Sequence, residues 1–465
     1  MIRDRIVQHL ARAWRFLLLA AAFPLAAAAQ TAPLGDLLVA PGSAGLGAMI
    51  RSERSAYKGV GYSQDLVPLY LYEGKRFFLH PTRAGLKLSE EGRHRVDLFL
   101  DFRFEGFPVG PTPGSLAGMQ TRESSTDLGV SYAYRAAWGN LKAEFLRDAL
   151  NVNHGEELRF GYSYDWNSGR WHLRPAITLM QRSAKLNNYY YGVRPGEATA
   201  NRPQYMPGAG TDAWLGLYGY YDLSRGWRLL GGLGTTLSDS RVRTSPIVRD
   251  GSRPTLFLGA AYDFGSYHRA LFEAPEPLIV KLVYGKSTDC NLINTMTLRC
   301  ASVTTADNTR IAGFELGKPF ITRVHGWPLD FVGYVSLLQH DERGLQDNSL
   351  QLNAYMKAYY YGFPWSERVR TRLGFGVGVS YAQRVPFVET RDLVGRGENT
   401  SRVLNYLDPT IDVSVGDLTG ARSLKETYWG FGVSHRSGAF GASRLLGNVN
   451  GGSNYIYTYV EWKMQ

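Results

Sequence analysis

The sequence lacks the features that mark a helical membrane protein or a nucleotide-dependent enzyme. After residue 30 it has no long uncharged apolar run, whereas a membrane-spanning helix needs about 20 predominantly apolar residues. It also has no glycine-rich loop placed between a strand and a helix, and no cluster of His, Asp or Glu at metal-ligand spacing. We therefore expect no α-helical span, no cofactor and no metal.

Cysteine is scarce, with only Cys290 and Cys300 in 465 residues. Both lie in the polar stretch 286–310, which contains no histidine. A metal site would need more ligands, and an oxidising envelope favours a disulfide between such a pair. We therefore predict that Cys290 and Cys300 are joined and close a loop.

The first 29 residues have the pattern of a secretory signal peptide. Four arginines precede a short apolar run over 16–23, and the alanines at 26–29 offer a cleavage site before Gln30. The apolar run is too short for a membrane anchor. The mature chain is therefore predicted to be exported and to begin near Gln30.

A lysine-rich block is also missing, although the formal net charge is +11. The signal region contributes +3 of this charge, which leaves about +8 spread along the mature chain. Nucleic acid is not expected as a partner, because export separates the chain from it. A basic surface or lumen instead suits contact with outer-membrane lipid and anionic lipopolysaccharide.

What the mature sequence has in abundance is period-two alternation rich in aromatic residues. Apolar residues at alternate positions of 95–105 are opposed mostly by charged ones, and similar patterns recur over 158–166 and 372–381. Strands of about nine to eleven residues can cross a bilayer when tilted. Closing the sheet into a barrel pairs the backbone N–H and C=O groups of its edges, which lipid cannot hydrogen-bond. The prediction is an all-β fold, an antiparallel transmembrane β-barrel in the outer membrane of a Gram-negative bacterium.

The connections between these runs are of two kinds. Asn167-Ser168-Gly169 separates two strands and predicts a tight hairpin. Longer polar inserts lie at 106–124, 186–211, 286–309 and 386–406. Short connections at one end and long loops on the outside of the cell are typical of outer-membrane barrels.

Residues 256–264 have the pattern of a final barrel strand, although they lie in the middle of the chain. Their alternate positions are apolar and the run ends on Phe264, as in the C-terminal signal recognised by the barrel-assembly machinery, the partner expected for insertion. A polar stretch follows before strands resume. A single large barrel remains an alternative to two tandem units. With two units, the divisions are a signal peptide (1–29), a first β-barrel (30–264) and a second barrel-like unit (265–465).

Several separated motifs resemble the MipA/OmpV family of outer-membrane proteins over residues 41–264. The motifs are Ser55-Ala-Tyr-Lys-Gly59, Asp65-Leu-Val-Pro-Leu-Tyr-Leu-Tyr-Glu-Gly74, Phe77-Phe-Leu79, Arg83-Ala-Gly-Leu-Lys-Leu88, Tyr189-Tyr-Tyr-Gly-Val193, Glu197-Ala198, Pro203-Gln-Tyr205 and Ser245-Pro-Ile-Val248. The resemblance does not cover 265–465, because members of the family usually end near the equivalent of Phe264.

The resemblance implies a non-catalytic envelope role. The best-described member of the family bridges a lytic transglycosylase and a peptidoglycan synthase, so scaffolding of murein-synthesising and murein-hydrolysing enzymes is the expected function. Other members have been regarded as porin-like, and a passive channel is therefore one alternative. In this interpretation Tyr189–Tyr191 would belong to an interfacial aromatic girdle, and Gly192 and Pro203 to loop geometry.

One pair of residues in the second half suggests a catalytic alternative. His435 and Ser437 lie on the same apolar face of a predicted strand and are close enough for general-base activation of the serine. They resemble the His-x-Ser of outer-membrane lipid A deacylases, in which an acid orients the histidine. The apolar Val449 stands where that acid is expected, and Glu426 and Glu461 are poorly placed. Lipid A ester hydrolysis, with Ser437 as nucleophile and His435 as base, is therefore an alternative to an ordinary interfacial role.

Overall fold

The structure is a computed structural model that describes residues 43–107, 113–224, 226–249, 251–264, 277–303 and 305–464. The predicted signal peptide, residues 1–29, lies outside the described residues. Among the described residues, no helix combines the length and the apolar character that crossing a membrane requires.

The first half of the described chain forms one closed antiparallel sheet. Because β10 pairs with β11 and β9 continues the line of β8 beside β10, the ring has twelve strands. Its strands are β1 (Ser43–Arg54), β2 (Tyr62–Glu73), β3 (Phe77–Leu79), β4 (Arg83–Glu91), β5 (His94–Arg103), β6 (Ser125–Ala136), β7 (Gly139–Asp148), β8 (Glu156–Ser163), β9 (Trp166–Ser168), β10 (Trp171–Arg182), β11 (Gly210–Ser224), β12 (Trp227–Leu237) and β13 (Ser252–Asp263).

The second half forms a separate barrel of eight strands, closed by antiparallel pairing of its first and last strands. The all-β prediction is therefore confirmed. Of the two alternatives that the sequence left open, the structure has two closed barrels and not a single large ring. The strands of the second barrel are β14 (Ile279–Ser287), β15 (Arg310–Ile321), β16 (Leu329–Asp341), β17 (Ser349–Tyr360), β18 (Thr371–Ala382), β19 (Val403–Ser414), β20 (Thr427–Ser437) and β21 (Asn454–Lys463).

Short helices occur only in connections between strands of the described chain. The α-helices are α1 (Ala184–Tyr191), α2 (Ser240–Arg243), α3 (Leu292–Met296), α4 (Phe387–Val394) and α5 (Val415–Thr419). The 3₁₀ turns are Gly114–Leu116, Pro195–Glu197, Val324–Gly326, Arg422–Leu424, Ala439–Gly441 and Arg444–Leu446.

Alternation along each strand sorts apolar residues outward and polar residues inward. In β5 the side chains of Arg95, Asp97 and Asp101 are buried inside the ring, while Leu100 on the other face is 47% exposed toward the membrane. Because the period is two, one strand supplies both surfaces. This is the reason that the overall hydropathy of the chain is nearly neutral.

The two ends of the first barrel differ in their connections. Turns at 92–93, 137–138 and 169–170 join consecutive strands with two residues each, as the sequence predicted after residue 168. The other end carries the long connections, including 183–209 and the described residues 104–107, 113–124 and 238–249. Since tight turns face the periplasm in outer-membrane barrels, we call these the periplasmic end and the outer end.

Candidate functional site

Paired charges fill the interior of the first barrel. Arg103 donates hydrogen bonds to Asp127 at 2.6 Å and to Glu157 at 2.9 Å. Arg182, the last residue of β10, donates to Glu105 at 2.7 Å. All five side chains are buried, and they reach inward from different parts of the ring. At this level the lumen is therefore a packed ion network and not a water-filled route.

A second layer of charges lies closer to the periplasmic end. Glu73 accepts hydrogen bonds from Lys87 at 2.7 Å and from Arg95 at 2.6 Å, and Nε2 of His80 lies 2.8 Å from the same carboxylate. Each of these side chains is less than one-tenth exposed. The pairing continues through the depth of the barrel, so the interior is filled at more than one level.

The outer end of the first barrel is closed by its own loops. Tyr57, Tyr190 and Tyr191 lie in a hydrophobic cluster that these loops form above the lumen. The Tyr57 hydroxyl donates to the Tyr190 carbonyl at 3.0 Å, and the Tyr191 hydroxyl donates to Glu105 at 2.8 Å. We call this cluster and the connections 55–61, 104–107, 113–124, 183–209 and 238–249 that build it the outer cap.

The prediction that Tyr189–Tyr191 belong to a membrane-facing aromatic girdle is wrong. Ser183 caps the N-terminus of α1 by accepting a hydrogen bond from the Leu186 amide, and the helix directs two of the tyrosines inward. Tyr190 is 0% and Tyr191 is 1% exposed. These motif residues therefore seal the barrel and do not contact lipid.

A buried ion pair holds the outer cap together. Arg122 donates to the two carboxylate oxygens of Glu197 at 2.9 Å and 2.6 Å. Burial raises the pKa of Glu197, but the hydrogen bonds from Arg122 and from the backbone amides of Arg194 and Gln120 outweigh it and leave the pKa below its ordinary value. The ionised carboxylate of Glu197 therefore stabilises the outer cap.

The interior of the second barrel is filled mainly by tyrosine rings. Tyr355 donates to Glu315 at 2.7 Å, and Tyr459 donates to Asp412 at 2.5 Å. Lys357, which is buried, donates to Asp408 at 2.5 Å. Tyrosine hydroxyls and buried basic side chains thus share the acids, while the tyrosine rings occupy much of the volume of a narrow eight-stranded barrel.

The alternating glycines of β18 make room for these side chains. A Cβ atom at Gly374 would lie 2.5 Å from Cε of Lys357, and one at Gly376 would lie 2.9 Å from Cδ2 of Tyr355. Both distances are shorter than a carbon–carbon contact allows. The glycines are therefore part of the wall packing.

Cys290 and Cys300 are joined in a disulfide with their Cα atoms 5.7 Å apart. The bridge lies in the loop between β14 and β15, and α3 stands between the two cysteines. Within the described ranges no group of three or more His, Cys, Asp or Glu is arranged to hold a metal ion.

His435 and Ser437 lie on the outward face of β20, near the end that leads into the long connection 438–453. We call this the outer end of the second barrel and the opposite end its periplasmic end. Nδ1 of His435 is 2.7 Å from Oδ1 of Asn454, a neutral amide. No hydrogen bond between His435 and Ser437 is present in the described part of the chain. Between them, Arg436 points into the barrel and donates to Glu389 at 2.9 Å.

The carboxylates considered as the third catalytic member are engaged elsewhere. Glu461 accepts hydrogen bonds from Arg372 at 2.8 Å and Tyr334 at 3.0 Å inside the lumen. Glu426 precedes β20, at the periplasmic end, and pairs with Arg370 at 2.6 Å. Because His435 faces outward near the other end of the strand, neither acid orients it.

The two barrels touch along one side of each. The rings of Phe264 and Phe331 have centroids 4.7 Å apart, and the Tyr262 hydroxyl lies 2.7 Å from Nε2 of His325. Nearer the outer end, residues 438–447, which we call the seam loop, reach across from the second barrel to β2.

The ion pair between Arg444 and Asp65 at this seam could not be predicted from the sequence. Arg444 donates to Asp65 at 2.7 Å through Nη2, although the two residues are 379 positions apart. The available signal was a single charged residue in a stretch, 438–454, that is otherwise neutral. Composition gives no means of naming its partner.

Known outer-membrane proteins resemble the first barrel. Residues 44–264 match the family described as MltA-interacting protein MipA. The putative outer membrane protein YiaT of Escherichia coli (strain K12) is 24% identical over 47% of this chain and 90% of its own length. The MltA-interacting protein of the same strain is 25% identical over 48% of this chain and 92% of its own length. The outer membrane protein OmpV of Vibrio cholerae is 30% identical over 32% of this chain and 58% of its own.

Proposed function

Residues 44–264 belong to the MipA family of outer-membrane proteins, and from that premise we propose that the chain is a non-catalytic scaffold for murein-processing enzymes. The protein is an outer-membrane β-barrel protein. Its partners in this role are a lytic transglycosylase and a murein synthase, held at the periplasmic end. A relative that carries the name MltA-interacting protein supports this choice of partner class.

The observation that carries the proposal is the filling of both lumens. Layers of buried, paired side chains, such as Arg103 with Glu157 and Tyr355 with Glu315, occupy the centre of each ring. A passive channel would need a continuous wet path along the barrel axis, and layers of paired side chains interrupt such a path in both rings. Protein contacts at the periplasmic end fit this arrangement best.

Site-specific photocrosslinking in living cells tests the scaffold role. A photoreactive residue at Arg93, exposed in a periplasmic turn, should crosslink to a murein transglycosylase or synthase identified by mass spectrometry. The matched control is the same residue at Lys58, which is equally basic and exposed but lies in the outer cap. Crosslinks to neither enzyme from Arg93, with the barrel folded in the membrane, would contradict the proposal.

Single-channel recording tests the competing pore function. The purified protein in a planar bilayer should give no regular conductance steps, because charged and aromatic side chains fill both rings. Reproducible steps of one size would make a channel the better function and would require the lumen networks to rearrange.

A further inference from the structure

The wall of the first barrel has a lateral slot in its outer half. Strand β2 pairs with β1 along its whole length. On its other edge it pairs with β3 only through Tyr72 and Glu73, because β3 has three residues and β4 begins only at Arg83. The backbone from Tyr62 to Leu71 therefore has no strand on that side within the described chain. A bare edge of this kind is unfavourable in lipid.

The seam loop of the second barrel covers this slot. The Leu66 amide donates to the Ala442 carbonyl at 2.6 Å on one rim of the slot. On the other rim, Nη1 of Arg444 donates to the Phe104 carbonyl, just beyond β5, at 2.8 Å. An irregular segment thus replaces the missing strand and satisfies part of the exposed backbone.

A buried ionic cluster anchors the loop. Arg444 pairs with Asp65 and lies 3.5 Å from Glu53, and Asp65 also accepts a hydrogen bond from Arg51 at 3.1 Å. The Arg444 side chain donates to Asp65 at 3.0 Å from Nε and at 2.7 Å from Nη2, and its backbone amide donates to the same carboxylate at 3.0 Å. The Arg444 side chain is 8% exposed and that of Asp65 is 0%. Removing one partner of a buried bidentate pair of this kind is strongly destabilising, because the other charge is left buried and unpaired.

Beside this ionic cluster, the interior behind the seam loop has an apolar layer. Val67, Leu69 and Leu71 point inward from β2 and pack in one cluster with Phe104. Leu445 of the seam loop packs against that cluster. The slot therefore already receives one hydrocarbon side chain, and a lipid acyl chain has the same chemistry.

The closed seam loop also contains unfavourable backbone. Ala439 and Phe440 have φ angles of 53° and 59°, in the left-handed region that side chains disfavour. Phe440 is in addition 88% exposed. This conformation is held by the contacts of the seam loop, and the Arg444–Asp65 pair is one of them.

We propose that the seam loop is a latch, and that releasing the Arg444–Asp65 pair opens the apolar interior of the first barrel to an acyl chain from the surrounding membrane. This function is separate from scaffolding at the periplasmic end. It makes the second barrel the element that controls lateral access to the first.

A membrane-borne thiol probe tests the latch in the full-length protein. The two native cysteines are joined, so Val67→Cys introduces the one free thiol, inside the lumen behind the slot. The protein is reconstituted in liposomes containing a phospholipid with a maleimide on its acyl chain. Adding Arg444→Ala should speed labelling by roughly tenfold or more, since local opening follows the stability of the contacts that oppose it. Arg444→Lys should give an intermediate rate.

Two further variants make the result decisive. Arg122→Ala removes an equally buried arginine of the outer cap, away from the slot, and should leave the labelling rate unchanged. Where Arg444→Ala does not fold, Asp65→Asn replaces it, because it removes the charge and keeps the size of the side chain. An unchanged rate in a folded latch variant, or an equal increase with Arg122→Ala, would overturn the proposal.

Discussion

The two barrels fill their interiors with different chemistry. In the first, arginines such as Arg103 extend across the ring to carboxylates on other strands. In the second, tyrosines such as Tyr355 add a ring and a hydroxyl to several acids that also pair with buried lysines and arginines. Twelve strands enclose a wider space than eight. The wide ring therefore relies on long charged side chains that meet in the middle, whereas aromatic rings fill much of the narrow one.

The ends of the two barrels differ as well. Two-residue turns at the periplasmic end of the first barrel leave that end nearly bare. The periplasmic connections of the second barrel, 322–328, 361–370 and 415–426, are longer and held by their own contacts, such as Arg370 with Asp417 at 2.8 Å. This difference indicates that the first barrel is stabilised by its lumen contacts and its outer cap. The second barrel is stabilised by contacts along its whole height, including those of its periplasmic connections.

The largest effect is expected from breaking a charge layer of the first barrel. Arg103→Ala leaves Asp127 and Glu157 buried without their main partner, which should lower the free energy of unfolding by about 3–5 kcal/mol. Urea unfolding in detergent, followed by tryptophan fluorescence, measures the loss. Arg135→Ala is the control, because Arg135 is half-exposed and its bond to Glu90 is long, at 3.4 Å. Similar losses for both variants would contradict a stabilising lumen network.

A smaller effect is expected from the matching change in the second barrel. Tyr355→Phe keeps the ring and removes the hydroxyl, which donates to Glu315 and accepts a 3.5 Å hydrogen bond from Lys281. The free energy of unfolding should therefore fall by about 1.5–3 kcal/mol. Tyr284→Phe on the lipid-facing side is the control and should change little. A loss for Tyr355→Phe as large as that for Arg103→Ala would remove the distinction between charge-filled and ring-filled interiors.

The strands could be predicted from the sequence because the alternation that identifies each strand lies within that strand. Alternation over 95–105 gave the inward charges and the outward apolar residues of β5, and the turn after residue 168 was equally local. The sequence could not distinguish a girdle from a cap for Tyr189–Tyr191, because aromatic residues serve both. Ser183 at the N-terminus of a helix was the signal that could have favoured the cap.

Contacts between residues that meet only when the rings close could not be predicted from the sequence. Asp65 and Arg444 belong to different barrels, and only the short β3 and the resulting slot explain why they meet. The partners of lumen residues such as Glu461 depend in the same way on which strands face each other across the ring. Period-two alternation shows that a residue points inward but not which residue it will touch.

A pH series on the outer cap sharpens the comparison by measuring how much one ion pair of this cap contributes to the first barrel. Glu197→Gln should cost about 1 kcal/mol at pH 7, because the bond from Arg122 loses its ionic character. The pKa of Glu197 is lowered in the folded cap, so its contribution is complete above the ordinary glutamate value of 4.5 and is lost as the pH falls through the folded value. The difference between parent and variant in urea unfolding should therefore shrink below that value.

The comparison between parent and Glu197→Gln cancels the titration of the other carboxylates, which both proteins share. Gln120→Ala serves as a control in the same cap, because it leaves the carboxylate of Glu197 in place. Its difference from the parent should not follow the titration of Glu197. A difference between parent and Glu197→Gln that is independent of pH would mean that the ionised form contributes nothing.

The smallest effect, none, is expected from Ser437→Ala, which asks whether the second barrel adds chemistry as well as structure. His435 is bonded to the neutral Asn454, and Glu461 is turned into the lumen, so no acid is placed to orient the histidine. Mass spectra of lipid A should therefore be identical for cells that express the parent or Ser437→Ala, with heat-modifiable folded protein confirmed in both. Loss of one acyl chain with the parent but not with the variant would instead make the second barrel an esterase, and its outward face at His435 the active site.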